Sequence, residues 1–251
     1  MSWDFTGTTV LISGSGRGLG RSTAQHLASL GATVGITDID AAACNETVEL
    51  IRAAGGQAHG YAADLSHRQA FLDVAASFAK DSGPLRAVIN NASVLRYEAI
   101  EDIEEDTVDL MLGGGLKTVF WGAQALLAQM DAAKGGSILN YASPVSYRGY
   151  PRSAVYTAVK GAVLAVTRVM AAELGPRGVR VNALAPGSVP TPGAVAFVSK
   201  EEYAKRAATI PLRRLGSDDD NARAAAFLLS PDASFINGAV LNVDGGIVAA
   251  G

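Results

Sequence analysis

Seven short apolar runs, separated by stretches with helical spacing, constrain this chain more than any other feature. The runs fall at 8–13, 32–37, 57–63, 86–89, 137–142, 179–184 and 239–243. The helical stretches fall at 19–30, 41–54, 66–79, 101–112, 117–130, 153–174, 200–208 and 217–229, with a break expected at the glycines 113–115. Strands that alternate with helices return to the sheet by crossovers, which predicts parallel pairing. Right-handed crossovers then give a doubly wound, Rossmann-type α/β fold, a single parallel sheet of seven strands with helices on both faces. No composition shift marks a boundary, so 1–251 reads as a single domain. The segment 187–216, which opens on a Pro/Gly/Ser-rich stretch, reads as an insertion over the sheet.

Composition removes several functions. Lys and Arg number 21 against 24 Asp and Glu, a net charge of −3 that gives no electrostatic case for nucleic acid. Hydrophobic residues make up 49% and charged residues 18%, which excludes disorder and allows a large core. The one cysteine, Cys44, excludes an internal disulfide and a cysteine-rich zinc site. His26, His59 and His67 show no metal spacing, so no metal is expected. The first residues, Met1 to Gly7, lack the basic and apolar regions of a signal peptide. No charge-free run is long enough for a membrane span, and a cytoplasmic protein without a membrane partner is expected.

The first strand runs into Ser13-Gly14-Ser15-Gly16-Arg17-Gly18-Leu19-Gly20. Gly14, Gly18 and Gly20 follow a G-x-x-x-G-x-G spacing rather than G-x-G-x-x-G. Glycines here allow a sharp turn and close approach of backbone to a pyrophosphate, at a helix N-terminus whose N–H groups favour anions. A tight turn without a ligand is the bland alternative. Asp38 closes the second strand, where an acidic side chain can accept from the ribose hydroxyls of an adenine dinucleotide. A 2′-phosphate would face that carboxylate, so Asp38 favours NAD over NADP. Arg17 pulls weakly the other way. Asp40 is the better candidate to cap the helix that follows.

Tyr156 and Lys160 are four apart on an expected helix and share a face. An unperturbed tyrosine, pKa ~10, is a poor base at neutral pH. A nearby ammonium and an oxidised nicotinamide would stabilise the phenolate. Lowering the pKa by about 3 units takes ~4 kcal/mol, which two close cations can supply. Ser143 follows the fifth strand. Taken singly, each of these residues has an ordinary structural explanation.

Taken in order, the motifs resemble those of the short-chain dehydrogenase/reductase family over essentially the whole chain. They are Gly14-x-x-x-Gly18-x-Gly20, Asp64-Leu65, Asn90-Asn91-Ala92-Ser93, Ser143, Tyr156-x-x-x-Lys160, Pro186-Gly-Ser-Val-Pro-Thr191 and Asn242-Val-Asp-Gly-Gly246. The resemblance implies that Gly14, Ser15, Arg17, Gly18 and Leu19 line the pyrophosphate and ribose. Asp38 and Ile39 would hold the adenosine ribose and flank the adenine, with Ala63, Asp64 and Leu65 against the base. Asn91, Ala92 and Ser93 would floor the nicotinamide ribose, and Pro186, Gly187, Val189 and Thr191 would hold the carboxamide end. Tyr156 would be the general acid/base, with Lys160 lowering its pKa and binding ribose. Ser143 would orient the oxygen of a small alcohol or carbonyl substrate under 187–216, near Ala194, Val195, Phe197 and Val198. Tyr147, Arg148 and Tyr150 would add polar contacts. A homotetramer packed through 101–130, 153–174 and the C-terminal strand is also implied. Enoyl reductases of this family use a longer Tyr-to-Lys spacing.

Three residues depart from the family pattern. Ser13 replaces the usual Thr and keeps its hydroxyl, and Ser93 replaces a Gly. Gly115 stands where a catalytic Asn holds a water linked to the lysine. Either the backbone at 115 still holds that water, or the proton relay is broken and the chain is a dinucleotide-binding regulator with little turnover.

Overall fold

The computed structural model describes residues 3–195 and 198–250 of the 251. Seven strands are β1 (Thr9–Ser13), β2 (Thr33–Asp38), β3 (Gln57–Ala62), β4 (Ala87–Asn90), β5 (Gly136–Tyr141), β6 (Val179–Pro186) and β7 (Val240–Val243). They form one sheet in the order β3-β2-β1-β4-β5-β6-β7. Every pairing in it is parallel. The strand order reverses between β1 and β4, and the crevice at their carboxyl ends is where such sheets bind ligands. Ser13 and Asn90 face each other at that point.

The helices are α1 (Gly18–Ser29), α2 (Ala41–Ala53), α3 (Arg68–Ser82), α4 (Glu105–Leu112), α5 (Thr118–Gln129), α6 (Ala154–Leu174), α7 (Pro192–Val195), α8 (Lys200–Thr209) and α9 (Asp218–Leu229). Alternation along the strands divides the core in two. Val10, Ile12, Val34, Ile36, Ile89 and Leu139 turn to one face with Leu27, Ile51 and Leu228. Leu11, Val88, Ile138, Val181 and Ala183 turn to the other with Phe71, Phe78, Leu126 and Val163. This is the two-sided burial that the apolar runs imply. Cys44 is buried, and burial pushes its thiol up, which makes it unreactive.

Two expectations change. The glycines at 113–115 do not break the chain's helical path. Gly113–Lys117 form a π-helical turn that joins α4 to α5 and absorbs one extra residue without a loop. The helix expected from 101 begins at Glu105, after a 3-10 turn at Ile100–Asp102 and an extended Ile103. Glu105 and Asp106 then occupy its first turn, where the dipole favours carboxylates.

By length and mean hydropathy of 1.3, α6 and the turn after it could pass for a membrane span. In the fold it carries buried Lys160 and supplies Val163 and Leu164 to the core. Met1, Ser2, Phe197 and the Ala194 side chain, named in the sequence reading, lie outside the described residues.

The caps follow their sequence signals. Asp40 accepts from the amides of Ala42 and Ala43 at the start of α2. Ser217 and Asp220 form a reciprocal capping box on α9, and Arg214 pairs with the Asp220 carboxylate at 2.6 Å. That guanidinium and the Ser217 donors hold the Asp220 carboxyl well below the usual range. A depressed carboxyl pKa contributes stability above the unfolded value, ~4, that fades as pH falls. Asp220→Ala should therefore cost about 1 kcal/mol at pH 7, with a smaller difference from wild type at pH 3, read by urea unfolding at both pH values.

Candidate active site

Two joined cavities open along the carboxyl edge of the sheet. One, about 610 Å³, runs from Asp38, Ile39 and Asp64 past the glycine turn to Ser93. The other, about 470 Å³, holds Ser143, Tyr156 and Lys160 and is walled by Pro186, Gly187 and Val189. Leu19, Asn91, Ser93 and Thr191 line both.

Local chemistry explains the first cavity. Gly14 has φ of +63°, and a Cβ there would stand 2.8 Å from Ala92 Cα, so only glycine fits. The Ser13 hydroxyl accepts from the amides of Asn91 and Ala92, both at 3.1 Å. Asn91 Nδ2 returns bonds to the carbonyls of Ser13 and Gly14. The turn after β1 and the segment after β4 are thereby pinned together, and the serine hydroxyl suffices for it. Arg17, Gly18 and Leu19 sit at the N-terminus of α1, whose first amides are free of helical partners. The Asp38 carboxylate accepts from the amides of Gly16 and Asp40, each at 3.1 Å, which holds it against the turn. Arg17 pairs with Asp40 at the surface. Ala63, Leu65 and Ala92 complete the wall.

Ser15 is a correction. It is fully buried, its hydroxyl donates to Ile12 O at 2.8 Å, and its amide donates to Thr37 O. Both donors knit β1 to β2, so Ser15 lines neither cavity.

In the second cavity the β5 strand ends at Tyr141, and Ser143 follows two residues later. Lys160 is 3% exposed, and its ammonium donates to Tyr141 O at 2.7 Å. Its Nζ lies 5.8 Å from the centre of the half-buried Tyr156 ring, one turn away on α6. Burial pulls Lys160 down to about 8. Burial pushes the Tyr156 phenol up to about 12, a hydrogen bond with Ser143 opposes the rise, and Tyr97 adds to it. The expected lowering of Tyr156 by Lys160 is therefore not produced by the protein scaffold. The ammonium is turned to the Tyr141 carbonyl, and desolvation sets the direction of the phenol's shift.

Several cavity residues carry no sequence motif. Tyr97, Arg152, Tyr203 and Arg206 line the second cavity, as do Tyr150 and Val198. Tyr147 and Arg148 do not, and Arg148 donates to Ile247 O instead. Gly115 is buried, and a Cβ there would stand 2.7 Å from Val159 Cγ1 and 3.6 Å from Ser93 Oγ. Among the described residues no cluster of metal-ligating side chains occurs.

Comparison with known proteins agrees with this geometry. A family model described as enoyl-(acyl carrier protein) reductase matches residues 14–248. Gluconate 5-dehydrogenase of Gluconobacter oxydans is 34% identical, over 98% of this chain and 96% of its own length. Cyclopentanol dehydrogenase of a Comamonas strain is 33% identical, over 96% of each chain. A 7α-hydroxysteroid dehydrogenase complexed with NADH and 7-oxo glycochenodeoxycholic acid superposes with a TM-score of 0.93 at 31% identity, covering 98% of this chain and 96% of that one.

The buried lysine makes stability depend on pH. Its pKa is about 8 folded and ~10.4 unfolded, so the unfolded chain holds the extra proton between those values. Burying the charged form costs most below pH 8, about 3 kcal/mol, and the cost fades toward pH 10. Lys160→Met should be more stable than wild type at pH 7 and lose that advantage by pH 10. Chemical unfolding across this range checks it.

Proposed function

The chain belongs to the short-chain dehydrogenase/reductase family of oxidoreductases, and on that premise we propose that it is an NAD(H)-dependent enzyme interconverting a secondary alcohol and a ketone. The observation that carries this is the junction of the two cavities, with Tyr156, Ser143 and Lys160 on one side and the Asp38-to-Leu19 wall on the other. The first cavity fits a dinucleotide. Gly14 packs the turn against Ala92 where no Cβ fits, the N-terminus of α1 borders the cavity, and Asp38 offers carboxylate oxygens. When bound, the nicotinamide supplies the hydride acceptor or donor and, oxidised, a positive charge.

Asp38 and Ile39 would hold the adenosine ribose, and Ala63, Asp64 and Leu65 the adenine. Arg17, Gly18 and Leu19 would take the phosphates. Asn91, Ala92, Ser93, Pro186, Gly187, Val189 and Thr191 would seat the nicotinamide end. Ser143 orients the substrate oxygen. In oxidation the Tyr156 phenolate takes the hydroxyl proton, and in reduction the phenol returns it. Bringing that phenol from about 12 to ~8 takes about 5 kcal/mol. One cation at 4 Å supplies ~4 kcal/mol at an effective dielectric of 20, so the ammonium and a second charge suffice together. Tyr156→Phe should lower kcat by 10²–10⁴-fold while NADH binding, read by fluorescence titration, stays within a few-fold. Undiminished turnover would sink the proposal.

NAD preference rests on Asp38 beside the turn and on Arg17 being engaged by Asp40. Asp38→Asn should raise the NADP-to-NAD ratio of kcat/KM by roughly tenfold or more, since a 2′-phosphate no longer meets a carboxylate. A wild type that already prefers NADP refutes this assignment.

The reading includes a cytoplasmic homotetramer packed through the helices at 101–130, 153–174 and the C-terminal strand. Exposed Leu110, Phe120 and Val169 on α4, α5 and α6 support that packing. The segment 187–216 covers the substrate. The three-residue gap between Tyr156 and Lys160 favours alcohol over enoyl chemistry.

Gly115 favours a second reading, a dinucleotide-binding regulator with little turnover. Its test must allow for Val159, which fills the space that a side chain at 115 needs. Gly115→Asn alone should be destabilised by about 1–3 kcal/mol, with part of the loss recovered in Gly115→Asn/Val159→Ala. Thermal unfolding reads the stability. A gain of orders of magnitude in the double variant's kcat would establish that the wild-type relay is broken.

A further inference from the structure

The catalytic cavity is charged in one sense only. Among the described residues Arg152, Lys160 and Arg206 line it and no carboxylate does, although Arg206 is ion-paired with Glu202, in a chain of net charge −3. Lys160 is spent on Tyr141 O, but the two arginines serve no motif described above. Arg206, on α8, uses its Nε on Glu202 at 3.1 Å, leaving both terminal nitrogens of the guanidinium without a hydrogen bond among the described residues. Its guanidinium centre lies 6.0 Å from the centre of the Tyr203 ring. Tyr203 is 8% exposed, lines the cavity, and its Oη has no partner. A phenol buried unsatisfied costs free energy that a ligand can return. Arg152 has φ of +66°, strained for a side chain of its size, and its carbonyl is held by the Glu98 amide at 2.9 Å. Tyr97 lines the same cavity as Tyr156, Tyr203 and Arg206, so this end is continuous with the candidate catalytic residues.

We propose that the part of the catalytic cavity bounded by Arg206, Tyr203 and Arg152 is a carboxylate subsite, so that the substrate is a secondary alcohol or ketone carrying a carboxylate at its far end. This rests on the alcohol-dehydrogenase reading and specifies its substrate class. A guanidinium with two free terminal nitrogens matches the two oxygens of a carboxylate. The Tyr203 hydroxyl supplies a third donor and gains the partner it lacks. A neutral group in the same place forfeits the charge-assisted bonds to the terminal nitrogens of Arg206, which its ion pair with Glu202 leaves unused. The reaction itself is unchanged. Tyr156 would take the O–H proton, a nicotinamide cofactor held by the first cavity would supply the hydride acceptor, and the carboxylate would take no part in either transfer.

The test compares 4-hydroxypentanoate and 3-hydroxycyclohexanecarboxylate with their carboxamides, with NAD, using the full chain. The carboxylates should exceed the carboxamides at least tenfold in kcat/KM, chiefly through KM. Arg206→Met should bring that ratio to within about twofold of one. Arg206→Lys should keep part of it, because charge survives without the fork. Tyr203→Phe should lower it about threefold. Raising the salt concentration should narrow the preference modestly. Equal turnover of acid and amide by wild type overturns the subsite, as does an equal loss of both in Arg206→Met. Calorimetric binding of the same carboxylates in the presence of NAD separates the two levels. Arg206-dependent binding without turnover leaves the subsite standing and defeats the catalytic reading, whereas neither binding nor turnover defeats the subsite.

Discussion

The molecule's chemistry turns on a lysine ammonium almost wholly removed from water. Desolvating such an ion costs several kcal/mol, and one carbonyl, Tyr141 O, answers it within the protein. That bond ties the face of α6 to the carboxyl end of β5, which sets Tyr156 and Ser143 beside one another. A charge held at this cost does little for stability. It is worth having where another group's ionisation must be shifted, and the only titratable side chain one turn away is Tyr156. The scaffold alone leaves the two groups apart, the lysine at about 8 and the phenol at about 12. On the proposed reading, a second positive charge from an oxidised cofactor would bring the phenol into range, which would couple proton transfer to occupancy of the neighbouring cavity.

The sheet makes that coupling possible at short range. Parallel pairing brings every strand to its carboxyl end on one edge, and the reversal between β1 and β4 opens a crevice there. Ser13 closes the floor of the crevice by accepting from two consecutive amides after β4. The glycine turn, the floor and the end of β5 thus share one edge, and Arg214 ties the chain before α9 to Asp220. On the proposed reading, with 187–216 as the cover, chemistry and substrate choice would rest on separate parts of the chain.

Much of this was legible in the residues because it depends on local rules. Apolar runs fixed strand number, glycine and carboxylate positions marked the crevice, and four-residue spacing put Tyr156 and Lys160 on one face. The failures are equally physical. Ser15 sits inside the glycine motif, yet its hydroxyl and amide are consumed by β1 and β2, which no spacing reveals. The glycines at 113–115 look like a break, but helices on both sides are packed, and a π turn satisfies the backbone where a loop would not. Tyr97, Tyr203 and Arg206 come from a loop and from α8, and only the tertiary fold brings them to one cavity. The upward push of burial on Tyr156 in the scaffold alone was not legible, because a sequence does not display burial.

Gly115 shows why a single departure from a family pattern is a poor measure of lost function. Read alone, a missing asparagine suggests a broken relay. In the fold the missing volume is not missing, since Val159, the residue before Lys160, reaches the place a Cβ at 115 would take. The pair is packed as a unit, with Val159 1% exposed. Close packing requires that a change on one of two touching helices be matched on the other, or leave a cavity or a clash. A chain drifting out of use has no reason to keep that match beside an intact serine, tyrosine and lysine. On the proposed enzymatic reading, the site is packed around a glycine, with Val159 in the space that an asparagine side chain would need.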